Sequence, residues 1–319
     1  MKTRRLPLRS VFISVAIALA VALTLACGDE SEDALDAVPP GSTQAMFLED
    51  VAYAEQSASQ TMDISIPEGE GPFPAVVYIH GGGFFTGDKE SGLIYIDFLS
   101  QNGYVAISTN YRLSEEATFP AAVHDLKAAV RFLRAHAESY RIDPERIGSW
   151  GDSAGGNLAS MLGTSSGDEF TEDLSMGNAT FSAKVSATVD WFGPINFSTL
   201  VEEADSLGLS GFMGGGIDTD LEAAYLGLDA IEDDPELVSL ADPTSYLDGE
   251  DAAFFIQAGS DDPLVPYSQS QDFYRAIVAA LGSDRASFEL LDGAGHGGPE
   301  FDASDNLAKV LAFFDTHLR

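Results

Sequence analysis

The chain has 319 residues, enough for one large domain with a full core, and 45% of them are hydrophobic, so it is expected to fold. Acidic residues outnumber basic ones 51 to 16, a net charge of −35. Such a surface repels nucleic acid and anionic lipid headgroups, and a single cysteine excludes an internal disulfide.

The first element stands apart from the domain. Lys2, Arg4, Arg5 and Arg9 make a basic start, and Val11 to Ala26 carries no charge. That run is shorter than the ~20 residues a bilayer span needs, so residues 1–27 read as a signal peptide. Cys27 follows Thr24-Leu25-Ala26. This resembles a bacterial lipobox, with Thr24 where leucine is usual. The resemblance implies lipidation of Cys27 and a lipid-anchored place in the cell envelope. Ordinary cleavage, giving a periplasmic or secreted product, is the alternative. Beyond Cys27, twelve basic residues face 51 acidic ones, a net charge of −39. That balance suggests adaptation to high salt, which screens self-repulsion. Residues 28–46 contain Pro39-Pro40-Gly41 and predict an acidic disordered tether. The folded domain is expected over 47–319.

Within the domain, Asp63–Ile66 predicts a strand closed by Pro67. Ala75–Ile79 predicts a buried central strand running into His80-Gly81-Gly82-Gly83. Leu93–Gln101 predicts a helix stopped by Asn102-Gly103, and Tyr104–Ser108 another strand. A long helix is expected from Ala121 to about Glu138, with Val123, Leu126, Val130 and Leu133 on one face. Arg146–Trp150 predicts a strand and Ala154–Leu162 a helix. Ala187–Trp191, Ala253–Ala258 and Ser287–Leu291 predict further strands; Gln269–Leu281 and Asn306–Leu318 predict amphipathic helices. The alternation predicts an α/β fold with a mostly parallel central sheet covered on both faces. Residues 197–240 break it, as a small inserted lid would. Gly211, Gly214, Gly215 and Gly216 read there as loop hinges, because no strand leads into them and no Lys-Ser/Thr follows. Glu232-Asp233-Asp234 reads as a solvated face rather than a Ca²⁺ site.

Gly151-Asp152-Ser153-Ala154-Gly155 has the G-x-S-x-G form of a nucleophile elbow, in which the serine sits on a strained strand-to-helix turn. Ser153 then needs a base. Of five histidines, His124 and His136 fall in the long helix, His317 is near the end of the chain, and His80 opens the glycine run. His296 lies in a flexible loop after a strand and well after the serine, and the order Ser…Asp/Glu…His suits this architecture. The acid should follow the strand Ala253–Ala258, where Asp261 and Asp262 both qualify. Asp262 is preferred because Asp-Pro opens the next turn. An oxyanion needs backbone N–H donors, which Gly82, Gly83 and Ala154 can supply. His80 is expected to fix that loop.

Taken together, His80-Gly81-Gly82-Gly83-Phe84, Asn110-Tyr111-Arg112-Leu113 and Gly151-Asp152-Ser153-Ala154-Gly155-Gly156-Asn157 resemble the hormone-sensitive-lipase-like esterases of the α/β-hydrolase fold. Tyr53-Ala54, Gly87-Asp88-Lys89, Asp190-Trp191-Phe192-Gly193-Pro194, Asp262-Pro263-Leu264-Val265-Pro266 and Gly295-His296-Gly297-Gly298 resemble the bifunctional feruloyl and acetyl-xylan esterases. The resemblance spans roughly 47–319. It implies a Ser-Asp-His triad, no cofactor, and hydrolysis of small-molecule or polysaccharide esters. The chain departs at Phe84, where tryptophan is usual, and at Met62, where leucine is usual; both bear on substrate choice. An amidase or peptidase of the same fold, arylformamidase-like or prolyl-oligopeptidase-like, is the alternative. A non-catalytic binding module is disfavoured because every catalytic position is filled.

Overall fold

The computed structural model describes residues 42–209, 211 and 218–319. The signal segment, Cys27, most of the tether, and Gly214, Gly215 and Gly216 lie outside the described residues. Eight strands form one sheet: β1 (Met46–Ala52), β2 (Thr61–Ile66), β3 (Phe73–Ile79), β4 (Val105–Thr109), β5 (Ile142–Asp152), β6 (Ala187–Trp191), β7 (Ala253–Gly259) and β8 (Ala286–Leu291). Their spatial order is β1-β2-β4-β3-β5-β6-β7-β8. The pairs β1–β2 and β2–β4 are antiparallel, and every pair from β4 to β8 is parallel.

The sequence explains this layering. In β3, Val76 and Tyr78 face one helical layer while Val77 and Ile79 face the other, so an apolar run is buried on both sides. One layer contains α1 (Leu93–Gln101) and α8 (Ser304–Leu318), which contribute Ile96, Leu99, Phe314 and Leu318. The opposite layer contains α2 (Ala121–Ala135), α3 (Ala154–Thr164) and α7 (Tyr267–Leu281), which contribute Leu126, Leu158 and Phe273. Parallel strands joined by crossovers bring their C-terminal ends to one edge of the sheet, and the loops after β3, β5, β7 and β8 gather there.

Several boundaries differ from expectation, four of them by enough to have a physical reason. The tether predicted to reach residue 46 ends earlier, because Arg141 holds its last residues. Arg141 Nη1 donates to Ser42 O at 3.2 Å and Nη2 to Gln44 O at 2.8 Å, while Gly69 N–H donates to Thr43 O at 2.7 Å. β1 was not foreseen. It is a mostly exposed edge strand carrying Glu49-Asp50, broken by a bulge at Asp50, whose φ is 55°. β5 starts at Ile142 rather than 146, with residues 143–146 bulged out between the pairs Phe73–Ile142 and Ala75–Ile147. α2 ends at Ala135, three residues short of Glu138, where His136 caps it.

Between β6 and β7, where an inserted lid was expected, the described residues form three short helices: α4 (Leu200–Leu207), α5 (Asp220–Leu226) and α6 (Pro235–Leu240). The acidic run precedes α6 and serves local turns. Asp234 Oδ1 caps Leu237 N–H at 3.0 Å, and Asp233 Oδ2 accepts from Ala230 N–H at 3.2 Å.

Candidate active site

The turn from β5 into α3 carries Ser153 at φ 52°, ψ −124°, a strained conformation for a residue with a side chain. Its surroundings enforce it. A Cβ on Gly155 would lie 2.1 Å from the carbonyl oxygen of Ile79, so only glycine lets α3 start this close to β3. Ser153 N–H donates to Trp191 O at 2.8 Å, tying the turn to the end of β6.

Three side chains from three loops meet here. His296 Nε2 lies 2.8 Å from Ser153 Oγ, and His296 Nδ1 lies 2.8 Å from Asp262 Oδ2. Asp262 is buried, and its Oδ1 accepts from Leu264 N–H at 2.8 Å and Val265 N–H at 3.0 Å. The carboxylate therefore arrives with its other oxygen already occupied and its orientation set. With Nδ1–H donated to Asp262, Nε2 is left to accept from the serine hydroxyl. Asp261 is exposed; its Oδ1 accepts from Ser260 Oγ instead. Phe192 presents its ring edge-on to His296 at 4.8 Å.

Gly82 and Gly83 border the same cleft as Ser153 and His296. Their turn is closed by Phe85 N–H and Thr86 N–H, which donate to Gly82 O at 3.1 and 3.0 Å. Gly82 has φ 117°, and a Cβ there would meet Thr86 O at 2.0 Å. Ala154 is the first residue of α3, directly after the serine. His80 stacks on Tyr111 at 4.5 Å, and its Nδ1 lies 2.7 Å from Gly81 O. Burial pushes its pKa down, keeping it neutral within the loop. The remaining histidines sit elsewhere: His124 Nε2 is 2.9 Å from Phe170 O, His136 Nδ1 is 2.8 Å from Phe132 O, and His317 packs on Phe313.

Sequence reasoning missed several groups. Asp152, read only as a variable position of the elbow, accepts from Tyr78 Oη–H at 2.5 Å and from Gly81 N–H at 3.2 Å. It thus links the elbow to the glycine turn. Burial raises its pKa, and those two donors and the nearby His80 and His296 pull it back. Behind the elbow, Asp190 is fully buried and accepts from Gly193 N–H at 2.9 Å and Ser160 Oγ–H at 3.3 Å; burial raises its pKa to about 7. The bonds of Asp152 to Tyr78 and Gly81, and of Asp190 to Ser160, join residues distant in the chain and leave no local signature, whereas the Asp190–Gly193 bond lies within the Asp190-Trp191-Phe192-Gly193-Pro194 motif.

The cleft has a volume of about 650 Å³. Its lining includes the aromatic Tyr95, Trp191, Phe192 and Phe301 and the aliphatic Leu200, Leu264 and Val265. Such a mixture of apolar walls and a few convergent polar groups is the usual form of a small-molecule site.

Residues 62–277 match the family model described as BD-FAE. The chain belongs to the BD-FAE family. Among curated relatives, this BD-FAE member is 27% identical over 226 residues to Esterase LipQ of Mycobacterium tuberculosis, an alignment covering 70% of the chain and 50% of LipQ. Among solved structures, it is 30% identical to a bifunctional GH43-CE of Bacteroides eggerthii, with a TM-score of 0.75, covering 85% of the chain and 35% of that protein. It is 28% identical to a truncated carbohydrate esterase from gut microbiota, with a TM-score of 0.73, covering 88% of the chain and 98% of that one. The chain therefore spans about half the length of the first curated relative. The shared architecture is the α/β-hydrolase fold.

Proposed function

We propose that the chain is a carboxylic ester hydrolase that works through an acyl-enzyme on Ser153. The observation that carries this is the unbroken run of hydrogen bonds from Ser153 to His296 to Asp262, each link 2.8 Å, beside a glycine turn. His296 takes the proton from Ser153 as its oxygen attacks the ester carbonyl. The N–H groups of Gly82, Gly83 and Ala154 receive the oxyanion. His296 then protonates the departing alcohol, and water activated by the same imidazole releases the acid. Asp262 holds the tautomer and stabilises the imidazolium without taking the proton.

Membership of the BD-FAE family and the carbohydrate esterase among the structural relatives support short acyl or aromatic esters of sugars and polysaccharides as substrates. From the interval between β6 and β7, where a lid is proposed, Leu200, Asp218, Leu221 and Glu222 border the cleft. Lipidation of Cys27 would place this acidic enzyme at the cell envelope; partition of the exported protein into detergent, lost in Cys27→Ser, tests that.

The test of the reaction is Ser153→Ala against p-nitrophenyl acetate. Turnover should fall by ~10⁴ or more. Unchanged turnover would refute the assignment. A parallel panel of esters and matched amides separates an esterase from an amidase on the same scaffold.

A further inference from the structure

Four carboxylates border the cleft: Asp152, Asp218, Glu222 and Asp302. No lysine or arginine borders it among the described residues, and residues 210 and 212–217 carry no charge. Three of the four acids have work to do within the protein. Asp152 accepts from Tyr78 and Gly81. Asp302 accepts from Tyr95 Oη–H at 2.8 Å, and Asp218 accepts from Asp220 N–H at 3.3 Å.

Glu222 is different. It is partly buried and borders the cleft; its carboxyl accepts from its own backbone N–H, and no other residue's side chain among the described residues bonds it. Burial first, then Asp218 and Asp220, raise its pKa to about 7. A carboxylate that takes only one backbone N–H keeps lone pairs free for a further donor at the edge of the cleft.

Its position is fixed against the reacting centre. The preceding residue, Leu221, lies over the glycine turn, so that a Cβ on Gly83 would sit 2.7 Å from Leu221 Cδ1. α5 is pinned there by Tyr225, which stacks on Phe84 at 3.9 Å and whose carbonyl accepts from Phe119 N–H at 2.8 Å. We propose that Glu222 determines specificity by receiving an electropositive group of the substrate, a hydroxyl hydrogen or an ammonium. The cleft then favours hydroxylated or cationic esters over apolar isosteres. This rests on the ester-hydrolase reading above.

The experiment compares kcat/KM within matched pairs by proton release at pH 8.5, where Glu222 is ionised. The pairs are acetylcholine with 3,3-dimethylbutyl acetate, glyceryl monoacetate with propyl acetate, and ethyl 3-hydroxybutyrate with ethyl butyrate. They separate a cation from a hydroxyl, and the alcohol side from the acyl side. At least one pair should favour its electropositive member by about 5-fold or more, and Glu222→Gln should abolish that preference. Asp284→Asn removes the same charge from the turn before β8, at the far edge of the sheet, and should leave the preference intact. No preference in any pair overturns the proposal, as does one that survives Glu222→Gln or falls equally in Asp284→Asn. If Ser153→Ala still turned over the whole panel, the triad reading would fail instead.

Discussion

The elbow around Ser153 and the interval from α4 to α6 both border the cleft, but they are held by different forces. Backbone atoms hold the elbow: Gly155 sits where a Cβ would strike Ile79 O, and Ser153 N–H is bonded to Trp191 O. Side chains do most of the holding in the interval, beside the backbone bond from Phe119 N–H to Tyr225 O. Glu203 on α4 accepts from Thr199 Oγ at 2.6 Å, from Gln269 Nε2 at 2.7 Å and from Ser268 Oγ, and Tyr225 on α5 stacks on Phe84. Backbone packing tolerates no substitution, whereas side-chain contacts are exchanged one at a time. The elbow region is therefore suited to conserving a reaction and the interval to varying what reacts.

The sharpest way to break this contrast is in the elbow. Asp262→Asn should lower kcat by ~10⁴ through the wrong imidazole tautomer, while exposed Asp261→Asn changes it less than ~3-fold. Equal losses at 261 and 262 would erase the distinction between the two acids. Gly155→Val should destabilise the fold by roughly 3 kcal/mol or more and remove activity with it, measured by denaturant unfolding.

A smaller effect is expected where the elbow meets the glycine turn. Asp152→Ala removes the acceptor for Gly81 N–H and should lower kcat by ~10- to 100-fold with KM little changed. Asp152→Asn keeps an acceptor and should recover most of the loss. In the interval, Glu203→Gln weakens three contacts and should cost about 1–2 kcal/mol of stability while changing kcat less than ~3-fold. A kcat loss there as large as in Asp152→Ala would show that the two regions are not separable.

The last expectation concerns the pH dependence of stability rather than turnover. Asp190 has its folded pKa raised from 3.8 to about 7 by burial, so the folded state holds a proton that the unfolded state releases. Its ionisation therefore subtracts stability progressively from about pH 4 to pH 7, and the full cost is present above pH 7. Asp190→Asn should raise the melting temperature relative to the parent more at pH 8 than at pH 4.5. The opposite order would contradict a carboxyl whose pKa is raised by burial.

Legibility in the sequence follows the same division. The parallel strands were readable because a strand buried on both faces, such as Ala75–Ile79, must be an apolar run. The meeting of Ser153, Asp262 and His296 could be anticipated because chain order and fixed strand direction bring their loops to one edge. β1 was unreadable, since an edge strand with Glu49-Asp50 lacks a buried alternation. The start of β5 was hidden by Asp143-Pro144-Glu145, which bulges out of the ladder. The short helices α4 to α6, Asp152 at the glycine turn and Glu222 in the cleft depend on contacts between distant segments. A single sequence records none of those pairings.

Everything rests on Ser153 being an activated nucleophile, which makes covalent capture the most direct test. The protein is treated with a fluorophosphonate, digested, and the modified peptide located by mass spectrometry. One adduct on Ser153, absent from His296→Ala, is the expected outcome. An adduct on another residue, or full labelling of Ser153 without His296, would contradict it.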